Sequence, residues 1–84
     1  MEKSKIKGGS EMKDVEMTPV SSSNVESVGY DEENQITYVR FLNGTLYCYK
    51  GVPRHEYEGL LNAPSVGSYL HRNFKNVFPY ERIE

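Results

Sequence analysis

The dipeptide Asn43-Gly44 stands between two short segments, Ile36–Phe41 and Thr45–Tyr49, both rich in β-branched and aromatic residues. A type I′ turn needs φ > 0 at both central residues, and Asn-Gly meets that demand at little steric cost. The spacing therefore predicts a tight hairpin with Asn43-Gly44 as its two-residue loop. Upstream, Val28 and Tyr30 alternate with Ser27 and Gly29, and the polar run Asp31-Glu32-Glu33-Asn34 follows. This pattern marks a first strand and a turn into the hairpin.

After the hairpin the apolar period changes from two to between three and four. Pro53 suits the first turn of a helix, where its missing N–H costs nothing, and Tyr57, Leu60 and Leu61 form one stripe. Asn62-Ala63-Pro64 ends that helix, and Ser65 or Ser68 can cap a second. The second stripe is Val66, Leu70, Phe74 and Val77, with Tyr69 beside it, and Pro79 closes it. The predicted architecture is α+β, a three-stranded antiparallel meander followed by two helices packed on one face, in the order β-β-β-α-α.

With 84 residues there is room for one domain. Residues 1–19 mix charge with glycine and serine and show no period, so they are expected to be a disordered leader ahead of a domain at 20–84. A lone cysteine, Cys48, excludes an internal disulfide and any Cys-based zinc site, and fits a reducing compartment. No secretory signal and no membrane span is visible, so the expected location is the cytoplasm.

A two-residue loop at Asn43-Gly44 would pair Phe41 with Leu46, Arg40 with Tyr47, Val39 with Cys48 and Tyr38 with Tyr49. Strand side chains alternate, so one face would carry Val39, Phe41, Leu46 and Cys48, joined by Val28 and Tyr30, as the core under the helices. The other face would carry Ile36, Tyr38, Arg40, Tyr47 and Tyr49. Three tyrosines and a guanidinium on an open sheet form a platform on which bases stack, at about 1–3 kcal/mol each. Arg40 and Lys50 would then contact phosphates, with Arg72 and Lys75 of the second helix extending the track. The same tyrosines also stabilise a sheet by cross-strand pairing, and would be core if a helix wrapped onto that face.

A formal net charge of −2 excludes an indiscriminate coat for nucleic acid. Locally, residues 34–77 hold five basic residues against Glu56 and Glu58, a surplus of +3. Catalytic and metal chemistry is sparse. His55, Glu56 and Glu58 read as a solvated helical turn, and they have no further ligand at metal spacing. His71, Arg72 and Lys75 read as a basic strip or as plain helix surface. Cys48 falls on the predicted core face, and no phosphate loop or nucleophile–base set can be assembled. No enzyme activity, cofactor or metal is expected.

Taken in order, several motifs form a longer pattern. Ser22-Ser23-Asn24-Val25 leads to Val28-Gly29-Tyr30-Asp31, then to Val39, Phe41, Gly44 and a Y-x-Y at Tyr47-Cys48-Tyr49. Val52-Pro53, Tyr57, Leu60-Leu61, Ala63, Ser65, Gly67, Tyr69 and Phe78-Pro79-Tyr80 complete it. Over Val20 to Arg82 the chain resembles the KTSC domain, a family named from the C-terminus of some lysyl-tRNA synthetases and found also as stand-alone small proteins. Phe78, where a tyrosine is usual, and His71-Arg72 depart from the pattern. The resemblance implies an RNA-binding module, in agreement with the tyrosine face. The alternative expectation is a protein–protein interaction or accessory domain, monomeric or weakly homodimeric.

Overall fold

The computed structural model describes residues 15–84. Five strands and two helices follow in the order β1 (Thr18–Pro19), β2 (Val25–Asp31), β3 (Ile36–Phe41), β4 (Leu46–Lys50), α1 (Arg54–Leu61), α2 (Val66–Asn73) and β5 (Tyr80–Arg82). The strands form one antiparallel sheet in sequence order. The α+β class and the two helices agree with the sequence reading, and the three-strand meander is corrected to five strands. β1 and β5 are too short to show a period, and both add to edges that the predicted meander leaves open.

The hairpin register is also corrected. Tyr38 pairs with Cys48, Val39 with Tyr47 and Arg40 with Leu46, one residue away from the expected pairing. The cause is a three-residue loop, Leu42-Asn43-Gly44. The Gly44 N–H donates to the Phe41 carbonyl at 2.9 Å, and the Phe41 N–H donates to the Thr45 carbonyl at 2.9 Å. Only Gly44 takes positive φ, at 95°, so the loop is a turn followed by a left-handed residue rather than a type I′ pair. Asn43 holds it through its Oδ1, which accepts from the Thr45 N–H at 3.0 Å and the Thr45 hydroxyl at 2.8 Å.

A one-residue slip exchanges the faces of a strand. Val28, Tyr30, Val39 and Phe41 do lie on the helix-covered face, but their neighbours from β4 are Tyr47 and Tyr49, not Leu46 and Cys48. The main core joins Val25, Val28, Val39 and Tyr49 to Leu60 of α1, to Val66 and Leu70 of α2 and to Phe74, which caps its C-terminus. Phe74, fully buried, meets Tyr49 edge-on at 5.5 Å and Phe78 at 5.2 Å. Ser65 caps α2 by accepting from the Ser68 N–H at 3.3 Å. The helix stops at Asn73, so Val77 leaves the predicted stripe and is 59% exposed.

Leu46, Cys48 and Tyr38 form a second, smaller cluster on the outer face of the sheet. Val15 and Met17 pack over it from one side and Ile83 from the other. The predicted leader therefore lies, for residues 1–14, outside the described residues, whereas residues 15–19 form β1 and part of the outer cover. Gly29 makes that cover possible, since a Cβ there would lie 2.7 Å from the Met17 sulfur and 2.9 Å from the Glu16 carbonyl oxygen.

Candidate nucleic-acid interface

The register divides the residues that the sequence places on one binding face. Tyr38 is 2% exposed on the outer face, under Val15, Met17, Ile36 and Ile83. Arg40 points the same way, pairs with Glu84 at 2.7 Å and donates to the Gly44 carbonyl at 3.0 Å. Lys50 pairs with Glu81 at 3.1 Å. Tyr47 and Tyr49 face the helices. A single platform of Tyr38, Arg40, Tyr47 and Tyr49 is thus corrected: two of these four side chains are on each side of the sheet.

Tyr47 and Tyr49 instead join a groove between β4, β5 and α2. Tyr49 is the deeper ring, 5% exposed, and Tyr47 is half-buried with its ring edge-on to Phe41 at 5.6 Å. The chain returns after α2 to lay β5 beside β4, where Tyr49 pairs with Tyr80. Tyr80 thereby comes 5.8 Å from Tyr47 and 5.5 Å from Tyr49, ring centre to ring centre, and remains 49% exposed. Burial, with smaller contributions from Tyr80 and Tyr47, pushes the Tyr49 hydroxyl up to about 12, so it is a neutral hydrogen-bonding group across the physiological range.

The far wall is α2 and the turn after it, which bring His71 and Lys75 to the aromatic groove. This half has a volume of about 420 Å³. Adjoining it is a polar half of about 480 Å³, where the wall is Arg72 and the serines of the 21–23 loop. Asn24, Gly67 and His71 line both halves and form the saddle between them. Two hydrogen bonds to the Ser22 hydroxyl, from the N–H groups of Asn24 and Val25 at 3.3 and 3.2 Å, fold this loop. The Asn24 carbonyl oxygen then accepts from the Leu42 N–H at 2.9 Å, tying the loop to the hairpin.

No carboxylate lines either half, whereas His71, Arg72 and Lys75 do. All three are exposed, and none is in an ion pair with another described residue. The contrast with Arg54 is direct. That guanidinium lies beside a smaller cavity under Tyr30 and Tyr57, but Glu58 and Glu32 engage it at 2.9 Å each. The groove can therefore accept an anion without first breaking an ion pair, and its floor can take a flat apolar ring.

Of the sequence-predicted site, Tyr47, Tyr49 and Lys75 come together in the aromatic half and Arg72 lines the adjoining polar half, whereas Tyr38, Arg40 and Lys50 do not join them. Tyr80, Asn24 and His71 complete the groove. Tyr80 stands in the terminal Phe78-Pro79-Tyr80 motif, but a three-residue strand carries no periodic signal, so its pairing with β4 could not be read. Among the described residues no group of three or more His, Cys, Asp or Glu side chains is placed to hold a metal, and no helix is long and apolar enough to cross a membrane.

Known proteins fit this fold. The family model of the KTSC domain matches residues 21–78. An uncharacterised protein of Stutzerimonas stutzeri is 41% identical over 66 residues, which is 77% of this chain and 93% of that protein. A lysine–tRNA ligase of a Nostoc species is 36% identical over 61 residues, covering 73% of this chain and 11% of the ligase. The crystal structure of a KTSC domain protein from Yersinia pestis aligns with a TM-score of 0.78 at 32% identity, over 83% of this chain and 99% of that one. With the family model spanning residues 21–78, more than half of the chain, and the Stutzerimonas protein matched over 93% of its length, the chain belongs to the KTSC domain family.

Proposed function

We propose that this protein is a non-enzymatic binding module for RNA or other single-stranded nucleic acid, and that the groove between α2 and β4–β5 is its contact surface. The observation that carries this reading is the pairing of an aromatic floor with a wall that holds basic side chains and no carboxylate. Bases stack on aromatic rings at about 1–3 kcal/mol each, and phosphates neutralise exposed cations. The chain's similarity to a segment of lysine–tRNA ligases, enzymes named for an RNA substrate, supports the same reading. In place of a flat sheet platform, the proposed surface is a groove between α2 and β4–β5.

Fluorescence anisotropy with a labelled single-stranded RNA tests this reading. With the two permanent cations Arg72 and Lys75 at the groove, log K should fall against log salt with a slope no steeper than about −1.4. The double variant Arg72→Glu/Lys75→Glu changes only exposed side chains. It should keep the fold and lose essentially all of that slope together with most of the affinity. Unchanged binding by a folded double variant would falsify the assignment of this surface.

A further inference from the structure

The groove has two chemically different halves joined at a saddle. One half is aromatic, with Tyr47 and Tyr80 at its mouth, and the other is polar, with Arg72 and serine hydroxyls. Each volume, about 420 and 480 Å³, falls in the range of a site for one small molecule, about 300–1,000 Å³. A long strand tracked along its backbone needs a continuous basic channel; here the cations cluster at one end of one helix. Such a surface is matched to a unit with a flat ring at one end and an anion at the other.

The aromatic half also has a hydrogen-bonding bias. The Asn43 carbonyl oxygen is occupied by the Thr45 N–H and hydroxyl, at 3.0 and 2.8 Å. The Asn24 side-chain Oδ1 accepts from the Ser22 hydroxyl at 3.2 Å. The Asn43 oxygen is filled by its two hydrogen bonds, so this side chain offers a ligand its NH₂, a donor, whereas the Asn24 oxygen keeps one lone pair. Lys75 adds a further donor and no acceptor. Donors match ring carbonyl oxygens and oppose an exocyclic amine.

Resting on the single-stranded nucleic-acid reading above, we infer that the groove takes one nucleotide unit in a fixed orientation, with its base against Tyr47 and Tyr80 and its phosphate over His71 and Arg72, and that it favours uracil, which carries ring carbonyls and no exocyclic amine, over adenine. Asn24, at the saddle, adjoins the sugar. Base and phosphate are recognised together, so neither alone should reproduce the affinity of the whole. The discrimination between bases is set by the Asn43 carboxamide, because stacking alone is tolerant of base identity.

The test is an amide NMR titration of the full chain with uridine 5′-monophosphate, adenosine 5′-monophosphate, uridine, inorganic phosphate and decauridylate. The uridine nucleotide should shift Asn24, Tyr47, His71 and Tyr80 and bind at least about tenfold more tightly than uridine or phosphate alone. It should exceed the adenosine nucleotide by about fivefold or more. In Asn43→Asp, which keeps the acceptor that holds the loop but removes the donor, that ratio should fall toward one. Phosphate binding as tightly as the nucleotide would reduce the site to an anion hole, and equal affinity for both nucleotides would remove the proposed base preference. Decauridylate binding without nucleotide binding would overturn this inference and leave the wider reading standing. If no ligand in the series binds, both fail.

Discussion

Tyr49 connects the core to the groove through one ring. It packs edge-on against Phe74 while its other side meets Tyr80, and burial raises its hydroxyl to about 12. The folded chain thus holds this proton more tightly than an unfolded tyrosine, which titrates near 10. The resulting stability is complete below about pH 10 and is lost as pH rises through about 12. Denaturant midpoints between pH 9 and 12 should therefore fall more steeply for the wild type than for Tyr49→Phe. At the other side of the site, Ser65 closes the first turn of α2. Ser65→Ala should cost about 1 kcal/mol in chemical denaturation, and a smaller change would mean that tertiary packing alone holds the helix end. Of the residues that line the groove, Tyr47, Tyr49, Arg72 and Lys75 stand out in the sequence by their chemistry as proposed contacts. Their companions were not legible there, because a face assignment depends on register, and register depended on whether Leu42 belongs to the strand or the loop.

Elements were legible in proportion to their length. β2, β3 and β4 alternate over enough residues to be seen, and α1 and α2 carry apolar stripes. β1 and β5, with two and three residues, have no pattern of their own and form only because β2 and β4 offer unpaired edges. The segment at 15–19 illustrates this dependence. Val15 and Met17 lie over the outer cluster only because position 29 has no side chain. Gly29→Ala places a Cβ within 3 Å of the Met17 sulfur and of Glu16 main chain, so it should detach the segment or strain it. The expected loss is about 1–3 kcal/mol, with faster amide exchange at Val15–Thr18 than in the wild type. Wild-type exchange and stability in the variant would show that the segment contributes nothing to the outer face.

For the whole molecule, a chain this short stands on few core side chains, and its total stability is expected to be a few kcal/mol. Phe74 is fully buried where α2, Tyr49 and Phe78 meet. Phe74→Ala should cost about 3–5 kcal/mol and leave most of the protein unfolded by circular dichroism at room temperature. The same centre supports the groove, since Phe74 holds the ring of Tyr49 that forms its floor. Charge was legible only as a sum: the net −2 of the sequence hides the fact that carboxylates are absent from the groove lining and engage Arg40, Lys50 and Arg54 elsewhere. The central claim is that this groove is the nucleic-acid contact surface. Its most direct test is a two-dimensional amide NMR titration with a short single-stranded RNA at low and moderate salt. The account predicts shifts confined to Asn24, Tyr47, His71, Lys75 and Tyr80 that shrink as salt rises. Shifts centred on Tyr38, Leu46 and Ile83 of the outer face, or an unmoved spectrum, would contradict it.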